Sequence, residues 1–332
     1  MGIVGIIANP ASGKDIRRML THASRFTNQE KSNIVERIIS AIGDFGDSEI
    51  YIMPDGENLG PSVAYRMIQA NLPNSERIHV FDMVVDNSIY DTISFTEGMQ
   101  ELGADVVIVL GGDGTSRAAA KAIGTIPMIS VSTGTNNVFP QTLEGTTVGM
   151  AAAALASGRL NPEKCCLPCK RIEIYRDNQL IDIALIDLVV SSQLFVGAKA
   201  IWDMEDITKV IVTQCHPATI GFSALLGCSQ IVELTDDYGI MAEVSQDKPN
   251  YKAAMAAGLI VPINIRNKKN LPLEQDLILQ MDQAGILALD GEREIPFDAG
   301  EEFIIRLTRR GPRKVDLRKT LELAQKAGLY DL

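Results

Sequence analysis

Glycine, aspartate and threonine stand together at Gly111-Gly112-Asp113-Gly114-Thr115, directly after the apolar run Val106-Val107-Ile108-Val109-Leu110 and just before a helical pattern over 117–123. A glycine-rich turn between a buried strand and a helix N-terminus suits an anion. First-turn amides lack an intrahelical acceptor, the helix dipole favours negative charge, and glycine lets the backbone approach a ligand without a Cβ clash. Open α/β sheets bind ligands at the carboxyl ends of their strands, where this turn lies. The alternative is a tight turn with Asp113 as the N-cap of the following helix, but three glycines around one Asp exceed what a cap requires. Two more turns of small polar residues follow strand-like runs, Asn9-Pro10-Ala11-Ser12-Gly13-Lys14 and Gly134-Thr135-Asn136-Asn137-Val138-Phe139. The first is not a Walker A loop. It lacks the early glycine, and Lys14 is followed by Asp15 rather than Ser or Thr.

Other reactive residue types form no comparable constellation. Cys166-Leu167-Pro168-Cys169 could be half a zinc site or a redox pair, but Cys215-His216 is an adjacent pair poorly spaced to complete a tetrahedral set. His22, His79 and His216 make no triad with an obvious nucleophile, and no metal ligand is assigned from a direct motif.

The elements that must position the glycine turn alternate in type. Strands are predicted over 3–8, 49–53, 79–81, 106–110 and 128–131. Helices are predicted over 31–42, where Ile34, Val35, Ile38, Ile39 and Ile42 make a 3.6-residue stripe, and over 61–69 and 90–102. That alternation predicts a doubly wound parallel sheet over residues 1–150, closed by right-handed crossovers. After a small-residue helix over 149–157, β-branched runs at 171–175, 180–190, 230–234, 240–244, 258–265, 285–289 and 302–307 predict a mainly β domain over 151–310, entered at 168–170. A C-terminal helix within 311–332, over 315–327, is expected to pack back on the first domain.

At 332 residues with 46% hydrophobic and 22% charged residues, the chain is long enough for two cores. A net charge of −11 opposes sequence-independent nucleic-acid binding and anionic membrane surfaces. The first apolar run has no basic flank and is broken at Asn9-Pro10, so no secretory signal is expected, and Ile6 stands where a myristoylation signal needs Ser or Thr. Five cysteines without a spaced framework fit a reducing cytoplasm. The expected partner is a small-molecule substrate, with no nucleic acid and no membrane, and a homo-oligomer is expected.

The motifs resemble a known superfamily. GGDGT is the central motif of NAD kinases, diacylglycerol kinases and sphingosine kinases, with a related GGDGS in phosphofructokinases. Residues 9–14 resemble the NPxSGK stretch of the lipid-kinase branch, and residues 134–139 resemble its GTGNDF element. Leu289-Asp290-Gly291-Glu292 is similar to the DGE turn of lipid kinases and the DGQ turn of NAD kinases, and Thr219-Ile220-Gly221-Phe222-Ser223 to the TPTGS loop of NAD kinases. Residues 184–190 resemble the Asn-Glu strand of NAD kinases, with Ile186 in place of Asn and Asp187 in place of Glu. The resemblance fits best the ATP-NAD kinase-like proteins associated with acetoin catabolism, the acetoin-catabolism protein X group.

That resemblance implies an α/β nucleotide domain followed by a β-sandwich, with the active site between them. It implies ATP and Mg²⁺ as cofactors and phosphoryl transfer to a hydroxyl of NAD or a related small metabolite. Asp113 would be the catalytic carboxylate. Asn9, Ser12, Gly13, Lys14, Gly111, Gly112, Gly114, Thr115, Gly134, Thr135, Asn136 and Asn137 would bind nucleotide or phosphate, and Asp187, Thr219, Ser223, Asp290 and Glu292 would bind the acceptor. Ile186 leaves NAD itself open as the substrate. A lipid-type kinase and a non-catalytic nucleotide sensor are the alternatives.

Overall fold

The computed structural model describes residues 1–13, 26–70, 74–134, 136–192 and 206–331. Five parallel strands form the body of the first sheet: β1 (Ile3–Ala8), β2 (Glu49–Ile52), β3 (Ile78–Val80), β4 (Val106–Gly111) and β5 (Pro127–Ser132), in the order β3-β2-β1-β4-β5. Strands covered on both faces read as continuous apolar runs, and β4 and β5 are buried along their whole length. One face, carrying Val4, Ile6, Val106, Ile108 and Ile129, packs under α1 (Asn28–Phe45), α2 (Leu59–Gln69) and α5 (Gly145–Ala156). The other, carrying Ile7, Val107, Val109 and Met128, packs under α3 (Ile89–Glu101) and α4 (Asp113–Ala122). This is the doubly wound arrangement.

α1 begins at a capping box, in which the Thr27 side chain accepts from the Glu30 amide and the Glu30 carboxylate from the Thr27 amide. Its Ile34, Val35, Ile38, Ile39 and Ile42 are buried as the periodicity predicts. α5 lies so close to α1 that a Cβ on Gly149 would stand 2.4 Å from the Ile38 carbonyl oxygen. Among the described residues, no helix is long and apolar enough to cross a membrane.

The first sheet does not end at β5. After the short α6 (Pro162–Cys165), β6 (Cys166–Pro168) joins it, and so does β18 (Arg313–Val315) from the far end of the chain, which runs parallel to β5 and antiparallel to β6. α8 (Leu317–Lys326), capped by Asp316, then lies against α5 and α6. Residues 166–168 thus complete the first sheet before the chain crosses into the second unit.

The second unit is a sandwich of antiparallel sheets. Seven strands run in the order β12-β13-β11-β10-β9-β15-β16 and four in the order β14-β17-β7-β8, with Ile174, Leu188, Ile211, Leu287, Phe303 and Ile305 filling the space between. The strands are β7 (Arg171–Arg176), β8 (Gln179–Ala184), β9 (Asp187–Ser191), β10 (Ile207–Val212), β11 (Tyr238–Ser245), β12 (Tyr251–Ala256), β13 (Leu259–Pro272), β14 (Asp276–Gln280), β15 (Gly285–Leu289), β16 (Glu292–Phe297) and β17 (Glu302–Thr308), with the short helix α7 (Phe222–Gly227) after β10. Two expectations are corrected. The run 180–190 is two strands in different sheets, and 230–234 contributes an isolated bridge, Cys215 to Val232, instead of a strand.

Two cations, the buried Lys170 and the half-buried Arg309, fasten the 233–238 loop at the crossing between the units. Lys170 donates to the carbonyls of Glu233 and Tyr238 at 2.8 Å each, and Arg309 to those of Leu234, Thr235 and Asp236. Burial, with Arg309 beside it, pushes the Lys170 ammonium down to about 8. Between that value and the ordinary 10.5, the unfolded chain holds the extra proton, so folding stability rises with pH there. Denaturant melts of the wild type and Lys170→Met at about pH 7.5 and about pH 10 should show the wild type gaining relative to the variant at the higher pH. A difference independent of pH would overturn this account.

Candidate functional site

Three loops leave the carboxyl ends of β1, β4 and β5 and are stitched together by side chains. Asn9 Nδ2 donates to Thr115 Oγ1 at 2.9 Å, the hydroxyls of Ser12 and Thr133 lie 2.8 Å apart, and the Thr133 amide donates to the Gly111 carbonyl at 3.2 Å. Asn137 Nδ2 donates to Ser132 Oγ at 2.8 Å, and the same hydroxyl donates to the Gly134 carbonyl at 2.9 Å. The glycines sit in close quarters. A Cβ on Gly111 would stand 2.6 Å from the Thr115 side chain, one on Gly112 3.0 Å from Asn137 Oδ1, and one on Gly114 2.6 Å from Glu292 Oε1.

Asp113 is the first residue of α4, and its N-cap is Gly112, so the capping reading of Asp113 is replaced by another. Both carboxylate oxygens accept from the Val138 amide at 3.1 Å, and Oδ1 also accepts from the Phe139 amide at 2.7 Å. The carboxylate therefore ties α4 to the loop after β5. On the far side of that loop, Lys314 from β18 donates to the Phe139 carbonyl and lies 4.7 Å above the Phe139 ring. Burial pushes the Lys314 ammonium down, while Cys169 and Asp113 oppose that shift.

The second unit meets this site through the turn between β15 and β16. Asp290 and Gly291 both adopt positive φ, 50° and 79°, the conformation that an Asp-Gly hairpin turn favours. The Asp290 side chain turns inward and accepts from the amides of Leu185, Ile186 and Asp187. Three consecutive amides on one carboxylate make the corner that splits residues 180–190 into β8 and β9. Burial pushes the Asp290 carboxyl up, and Arg117 with the three amides opposes it.

Arg117, one turn after Asp113 on α4, is completely buried. It lies 3.2 Å from Asp182, 3.8 Å from Asp290 and 3.9 Å from Glu292, so a single guanidinium gathers three carboxylates of the second unit. Ile186, the residue that departs from the kinase motif, is 1% exposed in the apolar core beneath α3 and α4. An Asn side chain there would need polar partners in an apolar setting.

The remaining expected residues divide. Asp187 is buried at the start of β9, beside the Asp290 corner. Thr219 and Ser223 bond within their own loop: Thr219 donates to the His216 carbonyl and to Ser223, and Ser223 to the Gln214 carbonyl. Lys14 and Thr135 lie outside the described residues. Asn136 Oδ1 is buried and without a hydrogen-bond partner. The cysteines at 165, 166 and 169 are free thiols pushed up by burial, with Cys166 at about 12 and Cys169 at about 11. Sequence reasoning missed Lys31, Arg117, Asp182 and Lys314. Lys31 reads as a polar position in an amphipathic helix, and the only available signal for Arg117 was its place one turn beyond the GGDGT motif.

Known proteins share this layout. Residues 4–159 match the ATP-NAD kinase N-terminal domain, and residues 170–310 match the acetoin catabolism protein X C-terminal domain. The chain is 33% identical over 324 residues to acetoin catabolism protein X from Cupriavidus necator, covering 95% of this chain and 90% of that relative. The crystal structure of yeast NADH kinase complexed with NADH superposes with a TM-score of 0.52 at 15% identity, over 98% of this chain and 87% of that one, a likeness of fold.

Proposed function

We infer the function from this premise: the chain belongs to the acetoin catabolism protein X family. The reading we propose is phosphoryl transfer from ATP to a hydroxyl of a small acceptor, NAD or a related metabolite. The observation that carries it is the convergence at the N-terminus of α4, where three strand-end loops meet Glu292 from the second unit. The unpartnered Asn136 Oδ1 in the same loop cluster fits a ligand that brings an N–H or O–H donor. A match to the ATP-NAD kinase domain over residues 4–159 and the kinase fold support the donor.

The chain's own contribution is to hold and orient, as is usual in this chemistry. Amides of Gly112, Gly114 and Thr115 hold phosphate oxygens at the helix N-terminus. Asp113 orients the 138–139 segment, beside which the acceptor hydroxyl is placed. Glu292, which faces Gly114, is the carboxylate that would hold a nucleotide-borne Mg²⁺, an ion that usually takes one or two carboxylates besides phosphate oxygens. Bound there, Mg²⁺ would neutralise charge on the transferring phosphoryl group.

A second reading, a nucleotide sensor without turnover, is favoured by the engaged oxygens of Asp113 and by Ile186. Incubating the full chain with γ-labelled ATP, Mg²⁺ and a panel of NAD, NADH and small hydroxylated metabolites tests both. Label transferred to one acceptor is the expected result. ATP bound intact, with label reaching no acceptor, would replace the kinase by the sensor.

A further inference from the structure

Lys31 lies in the second turn of α1, is 0% exposed, and points into the loop after β1. Its Nζ donates to the carbonyls of Asn9 at 3.0 Å, Pro10 at 2.8 Å and Ser12 at 2.6 Å, and to Asn28 Oδ1 at 3.2 Å. Three main-chain oxygens of one four-residue turn thus face a single ammonium. In a trans peptide the C=O and the following N–H point in opposite directions. A Ser12 carbonyl drawn onto Lys31 therefore turns the Gly13 N–H away from it, and the φ of +74° at Gly13 is one that glycine adopts without strain. The other amides of the turn are already taken, Asn9 by the Leu110 carbonyl at 3.1 Å, Ala11 by Asn9 Oδ1 at 2.9 Å and Ser12 by the Asn9 carbonyl at 3.3 Å, and Pro10 has none. The same turn carries Ser12 to Thr133 and Asn9 to Thr115, at the rim of the site.

Carbonyl oxygens at a phosphate site repel the ligand, and amides attract it. We propose that Lys31 is the positioning residue of the phosphate site: it withdraws the carbonyl edge of the 9–12 turn and turns the Gly13 amide, with a buried positive charge behind it, toward the phosphates of a nucleotide. This inference rests on the nucleotide reading above.

The test measures the affinities of ATP, ADP, AMP and adenosine for the full chain and for Lys31→Met, which keeps the length of the side chain and removes its charge. The wild type should gain affinity with each phosphate. In the variant, ATP should weaken on the order of tenfold while adenosine stays within about twofold, because the lost interaction is with charge. ATP and adenosine weakening together would reduce Lys31 to a structural tie and overturn the proposal, as would unchanged ATP affinity. A wild type that binds none of the four overturns the nucleotide reading itself, and this proposal with it. Should the Met variant lose its melting transition, the ¹⁵N-labelled wild type gives the answer without substitution. The Gly13 amide resonance should shift with inorganic tripolyphosphate and not with adenosine, and an unmoved resonance overturns the proposal.

Discussion

Replacing Asp113 by Asn is expected to lower turnover by about 10²-fold or more, a loss that a displacement of about 1 Å in a positioned group can produce. The substitution should also lower stability. Both Asp113 oxygens accept main-chain amides from Val138 and Phe139, and an Asn side chain offers one acceptor and one donor. One amide would face the new NH₂, and because that amide is only part-buried the cost lies toward the lower end of the roughly 1–3 kcal/mol of a buried donor left without an acceptor. Nucleotide affinity should hardly change, because the phosphate donors are main-chain amides of other residues. Turnover per folded molecule and melting temperature, measured on the same preparation, separate the two effects. A lower melting temperature with wild-type turnover would make Asp113 a strut between α4 and the β5 loop; wild-type values of both would remove it from the site altogether.

Much of the first unit was legible in the sequence because a parallel sheet covered on both sides demands apolar runs, and Val106 to Leu110 cannot be mistaken for a surface segment. The glycine turn was legible for the same reason that it works: a Cβ at Gly111 would run into the Thr115 side chain, and one at Gly112 or Gly114 would press on Asn137 or Glu292. What Asp113 binds was not legible. Its amide partners lie 25 and 26 residues away, on a loop that local pattern does not bring to α4. The corner at 185–187 was hidden because residues on both sides of it are buried, so the apolar pattern runs through the break. β6 and β18 are three residues each, too short for periodicity, and become strands only because β5 leaves an open edge. Of the two kinase-like turns the sequence offered in the second unit, the hairpin at 290–292 reaches α4, and Thr219 and Ser223 bond within their own loop. The difference lies in Arg117, which supplies the counter-charge for that hairpin.

Arg117→Met is accordingly the change expected to damage the junction most. The methionine fills most of the volume, but Asp290 loses the guanidinium 3.8 Å away with no solvent beside it, whereas Asp182 keeps Lys121 at 2.8 Å and Glu292 reaches solvent. Removing one partner of a buried ion pair typically costs about 3–5 kcal/mol, since the remaining charge has no solvent to replace it. The three amides that Asp290 accepts stay in place and hold the loss toward the lower end of that range. The effect has a definite pH signature. Burial already raises the Asp290 carboxyl, and without Arg117 the folded value rises further above its unfolded one. A carboxyl raised in the folded state binds its proton more tightly there, so its contribution is favourable at acidic pH and is lost as pH climbs through the folded value. The deficit of Arg117→Met relative to the wild type should therefore shrink on acidification and grow toward neutral pH. Asp290→Asn in the Arg117→Met background should recover part of the loss at neutral pH, because it removes the buried charge that the arginine no longer balances. Chemical denaturation of the wild type, the single variant and the double variant at about pH 5 and about pH 7.5 measures all of this. A deficit below about 1 kcal/mol, the range of an exposed pair, that is the same at both pH values would sink the claim that Arg117 neutralises the second unit's carboxylates at the site.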